Sequence, residues 1–91
     1  MYVHAGNNRI IRTRDIVGIF DMDTATMEPV TRNYLRAAEK GGRMVSVKEE
    51  IPKSFIVTKS RRGGSDTIYV SPISSSALLG RVNAGIKGNT D

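Results

Sequence analysis

Ser54-Phe55-Ile56-Val57-Thr58 and Thr67-Ile68-Tyr69-Val70 decide the fold. Both are short runs of β-branched and aromatic residues, the types that pack well on a pleated, half-buried surface. Between them lies Lys59-Ser60-Arg61-Arg62-Gly63-Gly64-Ser65-Asp66, polar and glycine-bearing, so the pair predicts a β-hairpin. Ser71-Pro72 ends its second strand. Upstream, Ile16-Val17-Gly18-Ile19-Phe20 is a continuous apolar run of strand length. Such a run predicts a strand buried on both faces, by a sheet on one side and a helix or another subunit on the other. Gly18 inside it predicts a bulge or a close backbone approach. Tyr2-Val3-His4 and Arg9-Ile10-Ile11-Arg12 flank the turn cluster Ala5-Gly6-Asn7-Asn8 and predict an N-terminal hairpin. Met44-Val45-Ser46-Val47 adds a less regular strand.

One long helix is predicted over residues 29–40. Pro29 suits the first helical position, where its missing N–H costs nothing. Val30, Tyr34, Leu35 and Ala38 recur at helical spacing and predict the buried stripe. Gly41-Gly42 stops the helix, and Lys40 sits near the negative end of its dipole. Arg32, Arg36 and Lys40, four apart, share a face whose simplest reading is solvation, with Glu28 and Glu39 as local partners. Ser74-Ser75-Ser76 predicts the cap of a short C-terminal helix over Ala77, Leu78, Leu79 and Val82. Residues 83–91 offer little to bury and predict a flexible tail. The 91 residues thus read as one small α+β domain over residues 1–82. Its expected architecture is an antiparallel-rich sheet of five to six short strands, one main helix and a short C-terminal helix.

Composition narrows the chemistry. The chain has no cysteine and one histidine, which excludes a disulfide framework, a thiolate nucleophile and a thiolate metal site. No apolar run approaches the ~18 residues of a membrane span, so the expected setting is cytoplasmic, with no membrane partner. Charge is unevenly placed around a net +5. Residues 1–14 carry Arg9, Arg12 and Arg14 without an acid; residues 15–31 carry Asp15, Asp21, Asp23 and Glu28 without a base; residues 32–64 hold nine bases against three acids. A basic middle of this kind is suited to a polyanion, against the plainer reading of an ordinary soluble surface.

Catalytic constellations are weak. His4 in a short strand reads as a structural imidazole, and Asp21 and Asp23 read as loop acids without the second acidic cluster a cation cage needs. The three serines lack a nucleophile context and read as caps, although a helix N-terminus can also hold a phosphate. Neither Gly41-Gly42 nor Gly63-Gly64 continues into a nucleotide-cradling loop. No enzyme, metal or cofactor is expected. What remains is basic: Arg9, Arg12 and Arg14 around the first hairpin, Lys53 and Lys59 flanking a strand, and Arg61 and Arg62 at a hairpin tip. A basic ribbon or its tip can contact duplex DNA, mainly through phosphates. With 5% aromatics and no tryptophan, single-strand binding by base stacking is less favoured.

Residues 51–58, Ile-Pro-Lys-Ser-Phe-Ile-Val-Thr, and residues 68–79, Ile-Tyr-Val-Ser-Pro-Ile-Ser-Ser-Ser-Ala-Leu-Leu, carry a more specific signal. With Met1-Tyr2-Val3-His4 and residues 15–21 they resemble the bacterial extracellular matrix regulatory protein B family, RemB or YaaB-like, over residues 1–82. The resemblance implies kinship to the biofilm matrix regulator RemA, whose relatives are DNA-binding transcription regulators that assemble into ring-like homo-oligomers. The chain departs from those relatives where they carry an Arg pair, here Glu50 and Ile51, and where an Arg opens the Ile16–Phe20 strand, here Asp15. Two readings therefore stay open. One is a homo-oligomeric regulator of matrix genes that binds duplex DNA through Arg9, Arg12, Arg14, Lys53, Lys59, Arg61 and Arg62. The other is an assembly module that modulates a RemA-type partner without touching DNA.

Overall fold

A computed structural model describes residues 1–6, 9–46, 50–60 and 63–89, with backbone alone for 85–89. Strands β1 (Tyr2–His4) and β2 (Ile10–Arg12) form the first hairpin, and a single 3-10 turn, Thr13–Asp15, leads into β3 (Ile16–Asp21). Helices α1 (Met22–Ala25) and α2 (Pro29–Lys40) follow, then β4 (Met44–Val45), β5 (Ser54–Thr58), β6 (Thr67–Ser71) and α3 (Ser75–Asn89). The α+β class is as expected. The six strands divide into the β1–β2 hairpin and a four-stranded sheet in the order β3-β5-β6-β4. β3, β5 and β6 run antiparallel, whereas β4 pairs with β6 in parallel.

Strand β5 is the centre. All five of its residues are buried, and its alternation feeds two separate cores. Ile56 faces the hairpin and α3, joining Val3, Ala5, Ile11 and Leu78. Phe55 and Val57 point the other way, joining Ala38 of α2 and Ile68 of β6. Burying Ile56, Ile68 and Leu78 supplies about 1.5–3 kcal/mol each. The buried hydroxyls are all engaged: Ser54 Oγ donates to the Ile73 carbonyl at 2.6 Å, Ser71 Oγ to that of Ala5 at 2.8 Å, and Thr58 Oγ1 to that of Thr67 at 3.0 Å.

Within the single chain, Ile16–Phe20 is not closed on both faces. This run is the edge strand β3, and Val17 and Phe20 remain 63% and 42% exposed. The strand enclosed on both faces is β5. An apolar run records how apolar its surroundings become, and a single chain need not supply both walls. The predicted bulge is present, with register shifting between Ile16 and Gly18. A Cβ on Gly18 would lie 2.7 Å from the ring of Phe20, which stacks on Phe55 with centroids 5.1 Å apart. Gly18 is therefore a close-approach glycine as well as a bulge neighbour.

Helix α2 matches its predicted bounds, and its end is a paired-glycine stop. Gly42 takes φ +72°, its N–H donates to Glu39, and the N–H of Arg43 donates to Ala38 at 2.8 Å. Its predicted stripe needs correction, because only Ala38 is buried and Leu35 half-buried, while Val30 and Tyr34 are exposed. The helix packs over β6 and β4, leaving its first turns beyond the covered area. Ser74 caps α3 as expected, accepting from Ala77 N–H at 3.2 Å. The helix then runs to Asn89, past the Val82 where apolar spacing ends.

Candidate nucleic-acid interface

The register of the hairpin sets the basic end of the molecule. Tyr2 pairs with Arg12, and the turn end of the hairpin is tied down by the Ser71–Ala5 hydrogen bond. Arg12 therefore lies at the end of the sheet where β5 finishes and β6 begins. The 3-10 turn carrying Arg14 joins there too, because the N–H of Lys59 donates to the Asp15 carbonyl at 2.8 Å. Arg12, Asp15, Thr58, Lys59 and Thr67 line one open cleft of about 330 Å³, together with Tyr2 and Tyr69. Among the described residues, neither the Arg12 guanidinium nor the Lys59 ammonium meets a hydrogen-bond or ion-pair partner.

The structure thus gathers Arg12, Arg14 and Lys59 but not every predicted cation. Arg9 stands at the turn end of the hairpin, beside Gly6, which approaches Pro72 and Ile73. Lys53 is bonded through its N–H to Ser71, at the far end of β5. Six residue steps of extended chain separate it from Lys59, roughly 20 Å. Arg61 and Arg62 lie outside the described residues. Of the helix cations, Arg32 is spent locally, donating to the carbonyls of Thr26 and Met27 at 2.7 and 3.1 Å. Arg43, not singled out by sequence, bonds the Asp66 carbonyl at 2.8 Å and braces the β5–β6 connection.

Asp21 is a helix cap rather than a loop acid, and His4 engages the fold through its backbone rather than its imidazole. Asp21 Oδ2 caps α1, accepting from the N–H and hydroxyl of Thr24 at 3.1 and 2.9 Å. His4 is exposed on β1, and its carbonyl accepts from Arg81 at 2.7 Å. Among the described residues there is no cluster of three or more His, Asp or Glu able to hold a metal ion, and no helix long and apolar enough to cross a membrane.

A second surface escaped the sequence reading. Val17, Phe20, Val30, Tyr34, Phe55 and Val57 line an apolar groove of about 370 Å³ between β3 and α2. Sequence assigned Val17, Phe20, Val30 and Tyr34 to the core, and the groove arises because one chain leaves them uncovered. The cleft residues Tyr2, Thr67 and Tyr69 were likewise read only as strand residues. The Tyr2–Arg12 and Thr58–Thr67 pairings are the signal that unites them.

Residues 2–82 match the family model described as RemA-like, extracellular matrix regulatory protein A-like. The chain belongs to the RemA-like family. It is 40% identical over 81 residues, 89% of each chain, to the extracellular matrix regulatory protein B of Bacillus subtilis (strain 168). The matched span of this RemA-like chain includes the hairpin, both cores, the cleft and the groove, so the described sites lie within the family domain.

Proposed function

We propose that this chain is a non-enzymatic, cytoplasmic transcription regulator of extracellular-matrix and biofilm genes that binds duplex DNA as a homo-oligomer. The observation that supports the reading is that Arg12 and Lys59 line one cleft at the end of a RemA-like domain, with Arg14 on the adjoining 3-10 turn. Phosphates are the expected targets, and Arg61 and Arg62, two and three residues after Lys59 in the chain, are further candidates for contact. A single domain of net +5 offers few contacts, and copies displaying the same cations multiply them. The apolar groove supports that multiplication, since a second copy is the partner always present at the chain's own concentration, and a head-to-tail contact closes into a ring when its rotation allows.

The test is fluorescence anisotropy of labelled duplex DNA. With six phosphate contacts per assembly, affinity falls roughly a thousandfold between about 50 and 200 mM salt. Replacing Arg12 and Lys59 together by alanine reduces the logarithmic salt slope by about two for each copy in contact with the duplex. A slope unchanged by the double variant would remove this end of the sheet from the interface.

A second reading rests on Ile51, which is 82% exposed at a position where the resemblance to RemA relatives implies a cation. An exposed isoleucine suits a protein contact better than a phosphate, so the chain would act on a RemA-type partner. Co-purification with such a partner and no DNA shift at low salt favours this reading.

A further inference from the structure

The cleft that bears Arg12 and Lys59 is an open concavity at the end of the sheet. A volume of about 330 Å³ suits a small ligand. Its lining is mixed in a particular way. Arg12 and Lys59 offer positive donors and Tyr2 and Tyr69 aromatic rings and hydroxyls, none of them bonded among the described residues, and Thr67 adds a further polar group. Asp15 places a carboxylate in the same cleft, and a carboxylate has about four acceptor positions, so it takes donors beyond any one partner. An anion alone is poorly matched to a site containing an acid. A ligand with a phosphate at one end and hydrogen-bond donors and a flat ring at the other matches every part.

We infer that this cleft is a binding site for a nucleoside monophosphate. The phosphate sits between Arg12 and Lys59, the sugar or base donors face Asp15, and the base lies against Tyr2 or Tyr69. Charge-assisted hydrogen bonds from two cations and base–aromatic contact each contribute substantially in such a geometry. The site goes beyond DNA recognition. On the proposed function, its occupant would cover two of the three gathered cations and so regulate DNA binding.

The test is calorimetric titration of the full chain with nucleoside monophosphates, ribose phosphate and inorganic phosphate, each without DNA. Saturable binding of a nucleoside monophosphate is expected, with ribose phosphate and inorganic phosphate weaker. Arg12→Ala with Lys59→Ala should weaken it at least about tenfold, the loss of charged hydrogen bonds. Arg36→Ala with Lys40→Ala removes the same charge from exposed positions on α2 and should leave affinity within about twofold. Tyr2→Phe should retain binding better than Tyr2→Ala if the ring is the contact. No nucleotide binding at millimolar concentration overturns the inference, as does equal loss in the two double variants. Inorganic phosphate binding as tightly as the nucleotides overturns the sugar and base contacts. Because no DNA is present, failure here and failure of the DNA reading are separate results.

Discussion

The two faces of the four-stranded sheet present equally apolar side chains, yet one is closed and the other is partly open. On the hairpin face, Ile56 lies under Val3, Ile11 and Leu78, and the Ser71 hydroxyl is fixed between the Ala5 carbonyl and the Ile73 N–H. On the helix face, α2 covers Ile68 and Val70 but leaves Val17 and Phe20 of β3 beside an exposed Val30. The same residue types therefore have different uses. Apolar area already covered stabilises the single chain, whereas apolar area left open is available for association, at about 25 cal/mol per Å² in either case.

The comparison is tested most severely on the closed face. Leu78→Ala removes a side chain with no exposure from the contact between α3 and the hairpin. A loss of about 3 kcal/mol is expected, with a fall in melting temperature on the order of 15 °C for a domain this small. Urea denaturation monitored by circular dichroism measures it. A loss below about 1 kcal/mol would mean that this face is no better packed than the groove. Ser71→Ala is the polar counterpart, leaving the Ala5 carbonyl and Ile73 N–H without their partner. Its expected cost is about 2 kcal/mol, the penalty of leaving buried polar groups without a partner.

These two effects also mark what the sequence makes legible. Strand and helix positions follow from local chemistry: β-branched runs broken by glycine-rich turns, Pro29 at a helix start, Gly42 at its end, Ser74 as a cap. Each depends on residues within a few positions of one another. Enclosure does not. Ile16–Phe20 and Ser54–Thr58 are similarly apolar runs, and only the strand order makes one an edge and the other a centre. Val30 likewise obeys helical spacing but overhangs the area that α2 covers. The basic site was legible in kind but not in membership. Arg12, Arg14 and Lys59 meet through the hairpin register and the Asp15–Lys59 hydrogen bond, which no spacing rule contains. Arg9 and Lys53, equally basic in sequence, stand toward the other end of the sheet.

The open face supplies the smallest effect on folding and the sharpest division between the two regions. Val30 is 75% exposed at the second position of α2, so Val30→Glu removes little packing. A carboxylate in the first turn interacts favourably with the positive end of the helix dipole, and the folding free energy should stay within about 0.5 kcal/mol of the parent. In an assembled state the same change sets a charge against Val17, Tyr34 and whatever apolar surface enters the groove, where an unpaired charge is costly. Sedimentation velocity should accordingly show dissociation toward single chains while the denaturation midpoint is preserved. Affinity for duplex DNA at low salt should fall with it, because the cations then act one domain at a time. An undiminished assembly would place self-contact elsewhere, and the open face would then be apolar surface that a solitary chain simply tolerates.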